Sequence, residues 1–392
     1  MIIDIRLSNF YSIDNDITLS LQAVNLRGKQ ALALKNNVFE CGDEKLLKTV
    51  VICGANASGK SNIIKVIRFC LKLILNSHNH NENTVFNFEP FKFADSEKLS
   101  CFDIRFLIDG IEYEYSFSLT KTEIFTESLY FYPHGKKALV FTRDETKGKN
   151  KKDIYSFGKM IKRPLDVAES SSRKTLFISR ASQMDCDIAK KVFSFFKNKI
   201  VPDYTDFSPI IFEESLRDNK KDILRLLKNV DCDIVDFRIK KDAQISKNLC
   251  ITTFHKPNPL IPFDFDSEEA TTGTKDLFKL LPIVFTAVKE GKLLLIDGLD
   301  KCLHTKVIEF ILSLFNDSDS AQLIFTTYNT NLLKRFRKDQ VYFVNKDAKG
   351  SSDLYSLYDF KNVKDGLDVE KAYLQGQFDA IPYINDLYDK II

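Results

Sequence analysis

Eight residues, Gly54-Ala55-Asn56-Ala57-Ser58-Gly59-Lys60-Ser61, constrain this chain more than any other stretch. They fit G-x-x-x-x-G-K-[ST] and stand between two segments of different period. Before them, Thr49–Cys53 is a short apolar run, read as a buried strand; after them, Ser61–Leu75 has the spacing of an amphipathic helix. A loop in this setting turns its backbone N–H groups toward phosphate oxygens, and the helix end adds roughly half a positive charge. Lys60 is expected to reach the β and γ phosphates of ATP, and the Ser61 hydroxyl to ligate Mg²⁺. Gly54, Asn56, Ser58, Gly59 and Asn62 complete the expected nucleotide contacts.

A second motif supports the first. Leu293-Leu294-Leu295-Ile296-Asp297 is an apolar strand ending in an acid, the place for a carboxylate in the Mg²⁺ shell. Around it strand and helix alternate: helix 273–289, strand 292–297, helix 304–315, strand 321–327, helix 329–336 and strand 340–345. That alternation predicts a parallel sheet covered by helices. The phosphate loop belongs to the same sheet, so the middle of the chain is an insertion.

The remaining segments sort by period. Ile2–Leu21 reads as two alternating strands turned at Asp14-Asn15-Asp16, residues 22–45 as irregular, and Asn76–Asn83 as an exposed polar loop. Strands Phe102–Ile108 and Ile111–Phe117 flank Asp109-Gly110, a hairpin signal, with further strands at Ile124–Tyr132 and Ala138–Thr142. Residues 153–235 are mainly helical, and strands return near Ile234–Ile239 and Leu249–Phe254. The expected organisation is a first half at 1–150, a helical insertion at 151–235 and a second half at 236–392.

Composition removes several classes. No apolar run reaches the ~18 residues of a membrane helix, and the N-terminus lacks the features of a signal peptide. The eight Cys are scattered without a C-x-x-C pair, which suits reduced thiols in the cytoplasm. A net charge of +3 decides nothing about nucleic acid, which depends on where the charge sits. Lys147–Lys152 suits a solvated loop better than a DNA contact, and His78 and His80 suit a polar loop better than a metal site. Lys334, Arg335, Arg337 and Lys338 form a basic cluster that either complements a helix end or meets nucleic acid.

These residues together resemble the ABC-type ATPase heads of the RecF, SMC and Rad50 kind. The nearest resemblance is to the standalone AAA/ABC-like ATPases of abortive-infection and overcoming-lysogenization-defect phage-defence loci. Ile5-Arg6-Leu7-Ser8-Asn9-Phe10-Tyr11-Ser12 is similar to that family's first strand, and Gly54–Asn62 to its Walker A, with Ala57 where glycine is usual. Pro90-Phe91-Lys92-Phe93 and the Asp109-Gly110 hairpin resemble its β subdomain. Thr271-Thr272-Gly273-Thr274-Lys275 stands at its signature loop; Leu303-His304, Phe325-Thr326-Thr327, Tyr373-Leu374-Gln375-Gly376 and Ile381-Pro382 also match. The resemblance implies an α/β ABC-ATPase head: a mixed or parallel sheet flanked by helices, an antiparallel β subdomain and a helical insertion. It implies a homodimer or higher homo-oligomer that sandwiches ATP, with Thr271, Gly273 and Lys275 reaching the γ-phosphate held by the partner. The bland alternative is that 271–275 only caps the following helix.

Two positions depart from the pattern. Where the family has a glutamate base after the Walker B aspartate, this chain has Gly298; where it has a histidine after the threonine pair, this chain has Tyr328. Glycine cannot accept a proton, and tyrosine, with a pKa near 10, replaces imidazole poorly. Both losses fall on hydrolysis, so the expectation is ATP binding with slow or absent turnover. Asp300, two residues on, is the candidate substitute, making Asp297 and Asp300 the catalytic candidates. The expected role is a nucleotide-gated regulator in antiphage defence controlling a partner effector, a nuclease or toxin. The alternative is an active RecF/SMC-like ATPase in DNA repair, with nucleic acid as an open partner class and membranes excluded. About fifty residues follow Val341, too few for an appended nuclease domain of typical size.

Overall fold

The computed structural model describes residues 1–26, 34–41, 44–148, 150–161, 164–203, 209–229, 233–241, 249–256, 258–260, 262–264, 272–301, 303–361, 363 and 366–382 of the chain. Among them, one sheet organises the rest. Strand β5 (Thr49–Gly54) lies inside it, buried along its whole length. On one side of β5 stand β16 (Gln322–Thr326), β15 (Leu293–Ile296) and β11 (Ile200–Val201); on the other stand β17 (Val341–Lys346) and β18 (Ser352–Ser356). All neighbours are parallel except β18, which closes the edge antiparallel to β17.

Both faces of this sheet are covered, as near-continuous apolar strands require. Successive residues point to opposite faces, so Val50, Ile52, Leu293, Leu295 and Ile324 enter one core while Val51, Cys53, Leu294, Ile296 and Phe325 enter another. The first core is roofed by α1 (Lys60–Asn76), whose buried Ile63, Ile67, Cys70 and Ile74 recur at helical spacing. The second is roofed by the helices Thr272–Glu290 and Thr305–Asn316.

A seven-stranded antiparallel sheet packs beyond α1 in the first core. Its order is β10 (Tyr155–Phe157), β9 (Ala138–Asp144), β8 (Ile124–Tyr132), β7 (Ile111–Leu119), β6 (Ser100–Ile108), β1 (Ile2–Ser8) and β2 (Ile17–Ser20). The hairpin at Asp109-Gly110 pairs Ile108 with Ile111, with both turn residues at positive φ. Smaller sheets are built from β3 (Val38–Cys41) and β4 (Glu44–Leu47), and from β12 (Ile234–Lys241), β13 (Leu249–His255) and β14 (Pro262–Asp264). The molecule is thus α/β: a mixed, mainly parallel sheet flanked by helices, beside an antiparallel sheet.

Several local expectations change. β3 and β4 pair antiparallel where an irregular stretch, 22–45, is expected. The polar segment after α1 is mostly exposed, as expected, but its start is anchored on the helical region: Ser77 is buried and accepts from the Leu176 N–H at 3.1 Å, while His78 Nδ1 lies 3.0 Å from Ser179 Oγ. Residues 330–335 form a 3₁₀ segment, not an α-helix. Two cations in the basic cluster are internally occupied: Arg335 pairs with Glu309 at 2.8 Å and buried Arg337 with Asp339 at 2.8 Å. Cys53 and Cys70 are buried free thiols. No helix among the described residues is long and apolar enough to cross a membrane.

Candidate nucleotide site

Three strands deliver the site from their carboxyl ends, where open α/β sheets bind ligands. β5 runs into the phosphate loop, β15 ends before Asp297, and β16 ends at Thr326. Gly54 is obligatory: at φ 156° its hypothetical Cβ would stand 2.4 Å from the Val344 carbonyl oxygen of β17. Gly59 has φ 112°, a conformation that suits glycine. Ala57 is held at φ 61°, so a side chain sits in the left-handed region where the resembling family has glycine.

The loop meets the chemistry of a triphosphate. Helix α1 has no acidic residue in its first turn, so nothing there competes with an anion for its N-terminal N–H groups. The Lys60 ammonium is buried, donating to the carbonyls of Gly54 and Ala55 at 2.8 and 2.7 Å. The ring of Tyr328 lies across it, 4.0 Å from Nζ to the centroid. Burial lowers the Lys60 pKa to about 8, against the opposing pull of Cys53, Asp297 and Asp300. Ser58 is buried, and its Oγ has no hydrogen-bond partner. A buried cation without a carboxylate contact and an orphaned hydroxyl are the marks of an anion cradle.

The metal position is equally prepared. Ser61 Oγ donates to Asp297 Oδ1 at 2.9 Å, so the two groups expected to hold Mg²⁺ are already adjacent. Thr326 Oγ1 donates to the same oxygen at 2.7 Å and accepts the Gly298 N–H at 2.7 Å, which fixes the carboxylate. Burial works to raise the Asp297 pKa, but the bonds from Thr326, Ser61 and Lys301 outweigh it and leave the carboxyl below its usual value. Ser61 and Asp297, already bonded to each other, are the pair that would hold Mg²⁺, with phosphate oxygens completing the shell. ATP fits these residues: the cradle, Lys60 and Ser61 would bind its phosphates, and the metal would neutralise charge between them.

The hydrolytic side is different. Gly298 has φ 75°, and a Cβ there would fall 2.4 Å from Lys301 Cε. A glutamate at 298 would therefore need left-handed backbone as well as a displaced lysine. Asp300 Oδ2 accepts the Tyr328 N–H at 2.9 Å, while its buried Oδ1 has no partner.

Of the other expected site residues, Asn62 lies in the first turn of α1, and its side chain donates to Ser12 Oγ at 2.7 Å. Asn56 is exposed at the loop tip. Thr271 lies outside the described residues, whereas Gly273 and Lys275 fall in the first turn of the helix Thr272–Glu290. His304 caps the helix Thr305–Asn316, accepting from the Lys306 N–H at 3.2 Å. Sequence reasoning gave no role to Thr326, Ser12 or Ser352. Thr326 entered only as part of a motif match, with no bond to Asp297 foreseen, and the two serines reach the loop only through folding.

The family model described as "AAA domain, putative AbiEii toxin, Type IV TA system" matches residues 50–334. Comparison with curated proteins finds no match. Three solved SMC heads are similar to this chain. The SmcHead bound to the C-winged helix domain of ScpA shares 18% identity over 91% of this chain and 97% of that one, with a TM-score of 0.45. The SMC head domain from Thermotoga maritima shares 14% identity over 91% and 98%, with a TM-score of 0.41. The Smc head domain with an extended coiled coil, bound to the C-terminal domain of ScpA and derived from Pyrococcus furiosus, shares 16% over 96% and 98%, with a TM-score of 0.43. The family match runs from the strand before the phosphate loop past Asp297 and Tyr328, well over half of the sequence, and the chain belongs to that AAA-domain family as a nucleotide-binding ATPase domain.

Proposed function

We propose that this protein is a nucleotide-gated regulator that binds Mg·ATP, dimerises around it and turns it over slowly or not at all. The observation that carries this reading is the asymmetry of the site. The phosphate loop, Ser61 and Asp297 are assembled, whereas positions 298 and 328 offer no carboxylate or imidazole. Loss of a general base costs ~10²–10⁴-fold in rate. In the dimer, residues 271–275 of one copy, Thr271, Gly273 and Lys275 foremost, contact the γ-phosphate held by the other. The ATP-bound state then holds or releases a separately encoded effector, a nuclease or toxin, in a cytoplasmic antiphage system. The toxin-system description of the family supports that setting. The same reading takes 1–150 and 236–392 as two halves of one head and 151–235 as its insertion; the pairing of β5 with β16 and β17 supports the joined halves.

Particle mass with and without Mg·ATP tests the proposal, in wild type and Lys60→Ala. ATP should double the mass of the wild type only. A dimer indifferent to both nucleotide and mutation sinks the gating, and steady-state turnover of order one per second sinks slow hydrolysis.

One atom favours a second reading. The orphaned Asp300 Oδ1 is a carboxylate oxygen free to take a proton, which suits an active RecF/SMC-like ATPase working on DNA. That reading requires DNA-stimulated turnover abolished by Asp300→Asn, and DNA binding that falls steeply with salt.

A further inference from the structure

The turn after β1 is strained. Asn9 and Tyr11 have φ of 56° and 50°. Left-handed backbone is tolerated by asparagine but disfavoured for tyrosine, so at Tyr11 the surroundings must impose it. Phe10 and Ile13 exchange backbone bonds of 2.9 and 2.7 Å, and the Tyr11 N–H donates to the Glu89 carbonyl at 2.7 Å. The Asn9 side chain accepts the Phe91 N–H at 3.0 Å and donates to the Lys98 carbonyl at 2.6 Å. The result is to hold Ser12, buried, beside the phosphate loop.

A second serine arrives from the far end of the chain. Ser352, the first residue of β18, donates its N–H to the Ser12 carbonyl at 2.6 Å. Its Oγ lies 2.7 Å from Ser12 Oγ and 2.6 Å from the Ser58 carbonyl oxygen. A hydroxyl has one proton. The carbonyl can only accept, so Ser352 donates to it and Ser12 donates to Ser352. Asn62 donates to Ser12 in turn, at 2.7 Å. The relay therefore runs Asn62, Ser12, Ser352, Ser58 carbonyl. Gly59 is wedged against it: a Cβ would stand 2.1 Å from Ser352 Oγ and 2.7 Å from Ser12 Oγ.

The consequence follows from peptide geometry. In a trans peptide the C=O and the next N–H point in opposite directions. Holding the Ser58 carbonyl on Ser352 therefore turns the Gly59 N–H away from the serines, toward the open side of the loop. We propose that Ser12 and Ser352 are positioning residues for ATP, acting through the Ser58–Gly59 peptide to keep the Gly59 N–H aimed at phosphate. Both lie outside residues 50–334, the span of the family match. The proposal rests on the ATP-binding reading and adds to it a dependence on strand β18.

The test is titration calorimetry of Mg·ATP into the full chain, with thermal melting of the ligand-free protein alongside. Variants are Ser352→Ala, Ser12→Ala, the double variant, Lys60→Ala, and Ser351→Ala as control, since Ser351 Oγ accepts only from the Asp14 N–H at 3.3 Å. Loss of one relay bond should weaken ATP by about three- to tenfold. The double variant should fall short of the product of the singles, because both break one relay. The control should match wild type. A purely structural role would lower the melting temperature and leave affinity, measured well below it, unchanged; that result overturns the proposal. Should Ser352→Ala not fold, Ser12→Ala alone decides. If wild type and Lys60→Ala both fail to bind Mg·ATP, the nucleotide reading falls and this inference with it; if only the serine variants match wild type, this inference falls alone.

Discussion

Two buried charged clusters in this molecule are built to opposite rules. In the antiparallel sheet, Arg143 is 1% exposed and reaches Glu145 at 2.7 Å, the Thr175 carbonyl at 2.8 Å and the Ser172 carbonyl at 3.1 Å. Glu127, 4.0 Å from the guanidinium, accepts from Tyr115 at 2.8 Å and from the Phe177 and Ile178 N–H groups at 2.6 and 3.0 Å. Each charge there meets groups that match it. In the phosphate loop, Lys60 is equally buried but meets carbonyls and a ring, and Ser58 Oγ and Asp300 Oδ1 meet nothing. A buried polar group with matched partners specifies structure; at the end of a phosphate loop, one without them leaves a bond for a ligand to make.

Breaking each cluster should therefore cost different things. Arg143→Met strands Glu127 and Glu145 in the core and should destabilise the protein by about 3–5 kcal/mol in urea unfolding, while leaving ATP affinity in the folded fraction intact. A loss below about 1 kcal/mol would show that the cluster is not the scaffold described. Lys60→Met should do the reverse. Affinity for Mg·ATP, read by calorimetry, should drop about ten- to a hundredfold, as for a lost charged hydrogen bond, with stability unchanged or raised. Equal loss of stability would merge the two clusters into one class.

The smallest effect is on pH. Lys60 titrates at about 8 in the fold and at 10.5 in a solvated chain. Above pH 8 the folded protein loses this proton first, so ATP binding should weaken toward tenfold per pH unit and take up protons. Between about 8 and 10.5 the unfolded chain binds more protons, so Lys60 makes the ligand-free fold more stable as pH rises. Buffers of different ionisation enthalpy reveal the uptake. Lys60→Met should abolish both trends, and a wild-type affinity flat from pH 7 to 9 would contradict a lowered lysine.

How far the sequence could be read varies with the range of the interactions. The hairpin at Asp109-Gly110 was legible because turn and strands are contiguous. The pairing of β3 with β4 was not: the strands are four residues each and carry a charged pair, Glu40 and Lys45, that masks alternation. The segment after α1 is exposed over most of its length, as its polar residues say, but the partners of its histidines, Ser179 Oγ and the Lys174 carbonyl, come from 94 or more residues away and were not legible. Gly298 was legible as a missing base. Its φ of 75°, which makes restoring a glutamate more than a change of side chain, was not.

By itself the sequence determined the phosphate loop, its flanking strand and helix, the acid at Asp297 and the side chains missing at 298 and 328. Those features are written in adjacent residues, whose local conformation and chemistry need little else to be read. Tertiary structure alone decided how Asp297 is held, where the Lys60 ammonium rests, and why Gly59 admits no side chain. Each depends on contacts between distant segments, Thr326 on Asp297 and Tyr328 over Lys60 among them. The longest joins Ser12 to Ser352, 340 residues apart. A single hydroxyl in a loop carries no pattern, and only the packing of β18 against the turn after β1 gives it a direction.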